Sequence, residues 1–563
     1  MSTGLLAFLA FLPILVAMIL LVGFGWGARQ AMPVGYVVVF IIGLLVWKMD
    51  VITILAASIQ GLWIAATLLW IIFGALLLLA TLKHSGAIAT IRAGFMKISP
   101  DRRIQAIIVG FLFGCFIEGA SGFGTPAAIV GPLLLALGFP AFAAVIVGMI
   151  TQSTPVTFGA VGTPILVGVS GGLTGAAAVE AHAEALGLTW AEYIASIGAR
   201  AGTFHAIIGF VMPLIISMML TRFFGKNKSW KEGLEVWPFA LFAGVVFVIP
   251  YVLLANFVGP EFPSMLSGLL AVSICSYAAS KGFLQPKKIW DFPPQEEWPS
   301  YWMGTVSGDP GQVRAQMPLI KAWVPYVLVG IILVLTRMQP ALKGALTKIT
   351  IVHNNILGTS ISHSWQWVYS PGALIALVAV ITWLIHQMKG QEIKAALKES
   401  AGQLFNASMA LIFTVPMVRV FIMSNINNSG LESMPILMAR FVADSVGGAW
   451  PAFAAVIGAI GAMIAGSNTV SNLTFSLFQW SVADFIGVGQ RIVVAIQAVG
   501  GAAGNMICVH NAVAAAAVVG MIGKEGLILR RTFLPTIYYL VAIGVYGMIA
   551  IYVLGFSTTA SDR

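Results

Sequence analysis

Four short segments gather hydroxyl, amide and glycine residues inside otherwise apolar sequence. Glu118-Gly-Ala-Ser-Gly-Phe-Gly-Thr-Pro126 and Gly466-Ser-Asn-Thr-Val-Ser-Asn472 interrupt the apolar stretches 104–137 and 449–482. Each is followed by a second interrupted stretch. Thr151-Gln-Ser-Thr-Pro-Val-Thr-Phe-Gly-Ala-Val-Gly-Thr-Pro164 breaks 140–169, and Gly500-Gly-Ala-Ala-Gly-Asn-Met-Ile-Cys-Val-His-Asn511 breaks 486–521. At membrane depth such backbone is tolerated only where it is buried in protein or lines a wet cavity. A half-helix that begins there aims free N–H groups and a positive dipole end at the membrane middle, which suits a carboxylate. One such segment reads equally well as small residues that let helices pack closely. Two matched pairs favour a midplane site between repeats.

Within these segments Ser121, Thr125, Thr154, Ser467, Asn468 and Asn505 are the donors and acceptors for a small hydroxylated anion, with Gly122, Thr157 and Thr469 beside them. His510 either binds the anion or bonds a freed backbone carbonyl. Arg419, in the apolar span 403–423, has a guanidinium that clamps a carboxylate bidentately, or it snorkels to the interface four residues from the span end. Glu118 is the first choice for a proton-coupling group. Counted from Ile104, about 15 residues at 1.5 Å rise put it roughly 20 Å into the bilayer. An unpaired carboxylate there costs about 2.5–3.5 kcal/mol or more, so it is expected to carry a proton in at least one state. The alternative is a structural Glu bonded to hairpin N–H groups. His205 reads as a satisfied packing histidine on an unbroken helix.

The elements that must hold these residues follow from composition. The 563 residues are 59% hydrophobic and 9% charged, against about 45–50% and about 25% in soluble domains, and mean hydropathy is +0.95. A water-soluble globule, a collagen and a disordered chain are excluded. Spans of about 20 apolar residues fall near 5–24, 33–47, 61–82, 140–169, 193–220, 237–257, 264–280, 318–336, 371–388, 403–423, 486–521 and 533–555. The stretches 104–137 and 449–482 split into arms of about 15 residues, each too short to cross comfortably, and are expected to be re-entrant hairpins.

Charge tests this layout. Lys83, Arg92, Lys97, Arg102 and Arg103 mark one cytoplasmic segment; Arg222, Lys226, Lys228 and Lys231 a second; Lys389, Lys394 and Lys398 a third; Lys524, Arg530 and Arg531 a fourth. The segment 171–192 carries Glu180, Glu184 and Glu192 without Lys or Arg and should face outward. Both termini then lie outside, and the hairpins enter from opposite faces. The net charge of +10 therefore reports orientation in the membrane rather than a nucleic-acid partner. Cys115, Cys275 and Cys508 are far apart in apolar runs and imply neither disulfides nor a metal site. The expectation is an all-α polytopic membrane protein with inverted repeats: a first half 1–280, a linker 281–317 containing Lys281, Asp309 and Arg314, and a second half 318–563. The linker is expected to be a solvated connector.

The Glu118 tip, the Gln152-Ser-Thr-Pro break and Asn505-Met-Ile-Cys-Val-His-Asn511 together resemble the bacterial L-lactate permease family over essentially the whole chain. Ser467-Asn468-Thr469 also resembles the Ser-Asn-Thr hairpin signature of the divalent anion/sodium symporters, from which Ser121-Gly122-Phe123 departs. The resemblance implies symport of a small 2-hydroxymonocarboxylate, L-lactate or glycolate, with H+ across a bacterial inner membrane. It implies no cofactor and leaves Na+ open as coupling ion; the likeness to the divalent anion/sodium symporters alone carries over elevator motion and a homodimer. The lipid bilayer and the monocarboxylate are the expected partners. Two rival classes compete with this expectation. Gly119-Ala-Ser-Gly122 matches a Gly-x-Ser-Gly pattern of intramembrane serine hydrolases, with His205 or His510 as base, and a channel would use a ring of carbonyls or charges. No Gly-x-x-x-x-Gly-Lys segment points to ATP.

Overall fold

A computed structural model describes residues 1–95, 98–122, 124–305 and 315–555, with the side chains of Val22, Arg92, Asn406 and Ala407 left aside. Lys97, Phe123, Asp309 and Arg314 lie outside the described residues. Helices dominate, and twelve of those described are long and apolar enough to cross a bilayer. The continuous ones include Val51–His84, Trp237–Phe257, Pro263–Ser280, Leu319–Met338, Gly390–Ile422 and Glu525–Tyr552, and the span Trp190–Phe224 is interrupted only by a turn at 210–211.

The first hairpin has arms Arg102–Ser121 and Thr125–Ala136. Its first arm is 20 residues long rather than about 15, enough to cross by length. It does not cross alone, because the chain returns to its start: Arg102 donates to the carbonyl of Leu137. The second hairpin, Pro451–Ala465 and Asn468–Phe485, closes in the same way through Trp450 Nε1 on Gln479 Oε1 at 2.8 Å. Gly122, Gly124 and Gly466 take φ of 62°, 76° and 74° at the two tips, a left-handed region where side chains with a Cβ are strained.

The span Trp190–Phe224, started by a Thr189/Glu192 capping box, shows which face each hairpin enters. Near its first turn, Tyr193 Oη accepts from Trp480 Nε1 of the second hairpin at 2.8 Å, and Ser196 Oγ accepts from Arg491 at 3.1 Å. At its last residue Phe224 packs on Phe142, just past the base of the first hairpin, with ring centroids 5.5 Å apart. The two hairpins therefore rise from opposite ends of one membrane-crossing helix. The long helices Val51–His84 and Gly390–Ile422 run antiparallel beside them: Lys83 and His84 meet Glu399 at 2.7 and 2.8 Å, and Gln60 meets Arg419 at 2.8 Å.

Glycine sets how closely the second hairpin and the second broken span approach. A Cβ on Gly458, Gly500 or Gly504 would lie 2.3, 2.1 or 2.3 Å from the carbonyl oxygen of Gln497, Ala455 or Ala459, so these helices touch backbone to backbone.

The described part of the linker, 281–305, is mostly exposed, and a few of its side chains anchor it. Trp290 and Trp302 are buried, and Phe292 packs on Phe139 at 5.0 Å. Arg103, fully buried, pairs with Asp101 at 2.7 Å and donates to the carbonyls of Glu232 and Lys288, while Asp101 also accepts from Trp290 N at 3.1 Å. Farther along, Thr305 N donates to Gly520 O at 2.9 Å. The segment straps the base of the first hairpin to the end of the second broken span. Three tryptophans in 281–317, Trp290, Trp298 and Trp302, were the available signal, since so many large rings are rarely left in water.

Candidate functional site

Four half-helices begin at the breaks: Thr125–Ala136 at the first tip, Pro164 onward after the first break, Asn468–Phe485 at the second tip, and Val509–Val518 after the second break. Their starts form a closed ring of contacts. At the first tip, a Cβ on Gly122 would lie 2.7 Å from that of Ala160 in the first break. Asn472 Nδ2 donates to Pro164 O at 3.2 Å, joining the second hairpin to the same break. Gly466, at the second tip, faces the His510 Cβ and Cys508 Sγ of the second break. A Cβ on Gly124 would lie 2.6 Å from Asn511 Oδ1, which closes the ring. The positive ends of four helix dipoles thus converge, each equivalent to roughly half a charge.

The sequence-chosen residues distribute unevenly around this ring. Asn468 Nδ2 donates to Ala498 O at 3.1 Å, and Thr157 Oγ1 donates to the same carbonyl at 3.2 Å. Asn468 Oδ1, Asn472 Oδ1 and Asn505 Oδ1 are buried without a partner, so acceptors are left over where a ligand hydroxyl could donate. Thr469 is buried with its backbone against Gly168, and Ser467 is half-buried in extended conformation at the start of its helix. Ser121 and Thr125 hydroxyls share a hydrogen bond at 2.5 Å, and the hydroxyl that accepts in it donates to its own carbonyl, Ile117 O at 2.8 Å or Gly122 O at 2.6 Å, which ties down the first tip. His510 is exposed at the second break.

Thr154 is turned away from the tips. Its hydroxyl meets Tyr539 Oη at 3.1 Å and its carbonyl accepts from Tyr251 at 2.7 Å. His205 has both ring nitrogens occupied, by Thr157 Oγ1 at 2.7 Å and Tyr539 Oη at 2.6 Å, and is fully buried. The line Ala498–Thr157–His205–Tyr539–Thr154 escaped the sequence reading, which saw only a packing histidine. Nothing in Tyr538-Tyr539 marks one ring as buried. No histidine is bonded to Ser121 among the described residues, so the serine-hydrolase geometry is absent there.

Glu118 is 2% exposed, accepts from Gln152 Nε2 at 3.3 Å, and lies against Gly159. Among the described residues no Lys, Arg or His forms an ion pair with it. Arg419 does not snorkel: it is 0% exposed. Its Nε donates to Gln60 Oε1 at 2.8 Å, and its Nη1 to the carbonyls of Gly171 and Thr174 at 2.9 and 3.2 Å. It therefore sits at the outer end of the first broken span rather than at a tip. Gln60, a lone amide in the apolar run after Val51, was a readable signal, because a polar side chain inside a span requires a partner.

Paired re-entrant hairpins, paired broken spans and a ring of helix N-termini at their meeting point define a multi-pass membrane carrier, not an enzyme. The match to the L-lactate permease family over residues 6–554 shows that the chain belongs to that family. It is 31% identical over 518 residues to a putative L-lactate permease of Haemophilus influenzae, covering 88% of this chain and 89% of that one. It is 29% identical to an L-lactate permease of Escherichia coli over 552 residues, covering 91% and 90%. The glycolate permease GlcA of Escherichia coli is likewise 29% identical, over 583 residues and 98% and 96% of the two chains.

Proposed function

We propose that this carrier moves a small 2-hydroxymonocarboxylate, L-lactate or glycolate, inward together with one proton. The observation that carries the reading is the ring of four half-helix starts with three unpartnered amide oxygens, on Asn468, Asn472 and Asn505. The helix N-termini take the carboxylate, and the amide oxygens take the 2-hydroxyl, which a carboxylate alone would leave unanswered. Relatives named for lactate and for glycolate agree with a substrate of this size.

Glu118 supplies the proton site. A buried carboxylate without a cation is costly, so the neutral acid is the form that crosses, and lactate with one proton moves no net charge. The hairpins and broken spans form the moving unit, sliding against a scaffold of the remaining spans that also pairs two copies. Release of Arg419 from the Gly171 and Thr174 carbonyls is one step of that motion.

Reconstituted vesicles with an imposed pH gradient, acid outside, test this directly. Uphill accumulation of labelled L-lactate in sodium-free buffer is expected. Accumulation that requires sodium would replace the proton by Na+, and equilibration without accumulation would make the protein a passive conductor.

A further inference from the structure

Away from the tips, a cavity of about 660 Å³ opens on the outer side between Val51–His84, the outer arm of the first broken span and a small β hairpin, Ile351–His353 paired with His363–Trp365. The hairpin forms its lid. Trp63 stacks on His353 with centroids 4.3 Å apart, and Gln60 Nε2 donates to Ser362 O at 2.8 Å. Through its other amide atom Gln60 holds Arg419, so one side chain joins lid, cavity wall and guanidinium.

The charge balance of this chamber is one-sided. All three partners of Arg419, namely Gln60, Gly171 and Thr174, line the cavity. Arg419 itself has no carboxylate partner among the described residues, and its Nη2 is buried without a bond. Among the described residues the single carboxylate lining the chamber, Glu261, is occupied by Arg337 at 3.0 Å, and Arg337 lies over Tyr369 at 4.3 Å. Three further buried polar atoms of the lining lack partners: His363 Nε2, Trp365 Nε1, which can only donate, and Ser370 Oγ, on a residue 8% exposed.

A competing role for Arg419 is to neutralise the helix that ends at Thr174. That end carries only about half a negative charge, which leaves about half a unit of positive charge uncompensated. At about 6 Å and an effective dielectric near 20, that surplus enriches a monovalent anion roughly tenfold. The chamber is far larger than a three-carbon acid, so it suits a hydrated anion in transit better than a tight complex.

We propose that this chamber is an outer binding site for a small carboxylate, in which the Arg419 charge, Trp365 Nε1 and Ser370 Oγ collect substrate ahead of the tips. The proposal rests on the transport reading above and deepens it, placing a second station for the same ligand class on the outer side.

Its test measures L-lactate uptake into vesicles against external concentration for Arg419→Gln, Arg419→Lys and the double variant Trp365→Phe with Ser370→Ala. The apparent KM is expected to rise five- to tenfold in Arg419→Gln and in the double variant, and to return to within about twofold of the parent in Arg419→Lys, which keeps the charge. A double variant with unchanged KM, or a lysine variant as impaired as the glutamine one, overturns the site. Tryptophan fluorescence of the purified protein titrated with L-lactate reads the chamber without transport. Quenching is expected in the parent and is expected to be lost in Arg419→Gln, whereas equal quenching in both overturns the site. A parent that quenches but takes up no lactate contradicts the transport reading and leaves the binding site standing.

Discussion

Replacing Glu118 by Gln should uncouple substrate movement from the proton while leaving the carrier folded. The carboxyl is 2% exposed and accepts from the Gln152 amide at 3.3 Å. A glutamine has nearly the same volume and keeps a carbonyl oxygen to accept from Gln152, so the change in stability should stay below about 1 kcal/mol. What is lost is the ability to gain and release a proton. One pH unit corresponds to about 1.36 kcal/mol at 25 °C, so one-to-one symport supports about tenfold accumulation per unit and about a hundredfold for two. In vesicles with a two-unit gradient, the parent should approach the hundredfold limit, and Glu118→Gln should stop near equal concentrations inside and out. Exchange of internal for external lactate, which needs no net proton movement, should persist in the variant. A Glu118→Gln carrier that still accumulates lactate far above equality would refute the assignment of Glu118, whatever its absolute rate.

Gly501→Ala would put a Cβ 2.0 Å from Asn468 Oδ1 and push that side chain off the Ala498 carbonyl. Loss of one buried hydrogen bond, about 1–3 kcal/mol, predicts apparent lactate affinity weaker by roughly five- to hundredfold in a binding titration. Arg103→Met leaves Asp101 buried without its cation, a loss of about 3–5 kcal/mol that should appear as a clearly lowered unfolding temperature; an unshifted melt would count against the buried cluster. His205→Phe strands the Thr157 and Tyr539 hydroxyls and should weaken transport more than His205→Gln, which can still bond one of them. In the outer lid, burial first, then Arg419 and His353, push His363 from 6.5 down to about 4. Lid closure is therefore fully supported above pH 6.5 and loses support as pH falls toward 4, by about 1.4 kcal/mol between pH 7.5 and 5.5. A fluorophore on Ser362→Cys should become more accessible over that interval, and a flat response would contradict the sign.

The sequence by itself determined the membrane class, eleven of the twelve expected crossings, the two hairpins and their opposite faces; the expected span 371–388 is only a 15-residue helix, Pro371–Ile385. These are one-dimensional properties: hydrocarbon thickness fixes the length of each apolar run, and Lys and Arg placement fixes its direction. The breaks were legible for the same reason, since Gly, Ser and Asn within an apolar run stand out locally. Only the tertiary structure decided which of the polar residues meet. Thr154 and Thr157 are three positions apart, yet one turns to Tyr539 and Tyr251 while the other reaches Ala498. Arg419, expected either to clamp a carboxylate or to snorkel to the interface, binds the end of another helix, and the linker is pinned through Trp290 and Trp302. Those outcomes depend on partners hundreds of residues away, brought within 3 Å by packing in three dimensions, and no periodicity or local composition encodes such a pairing.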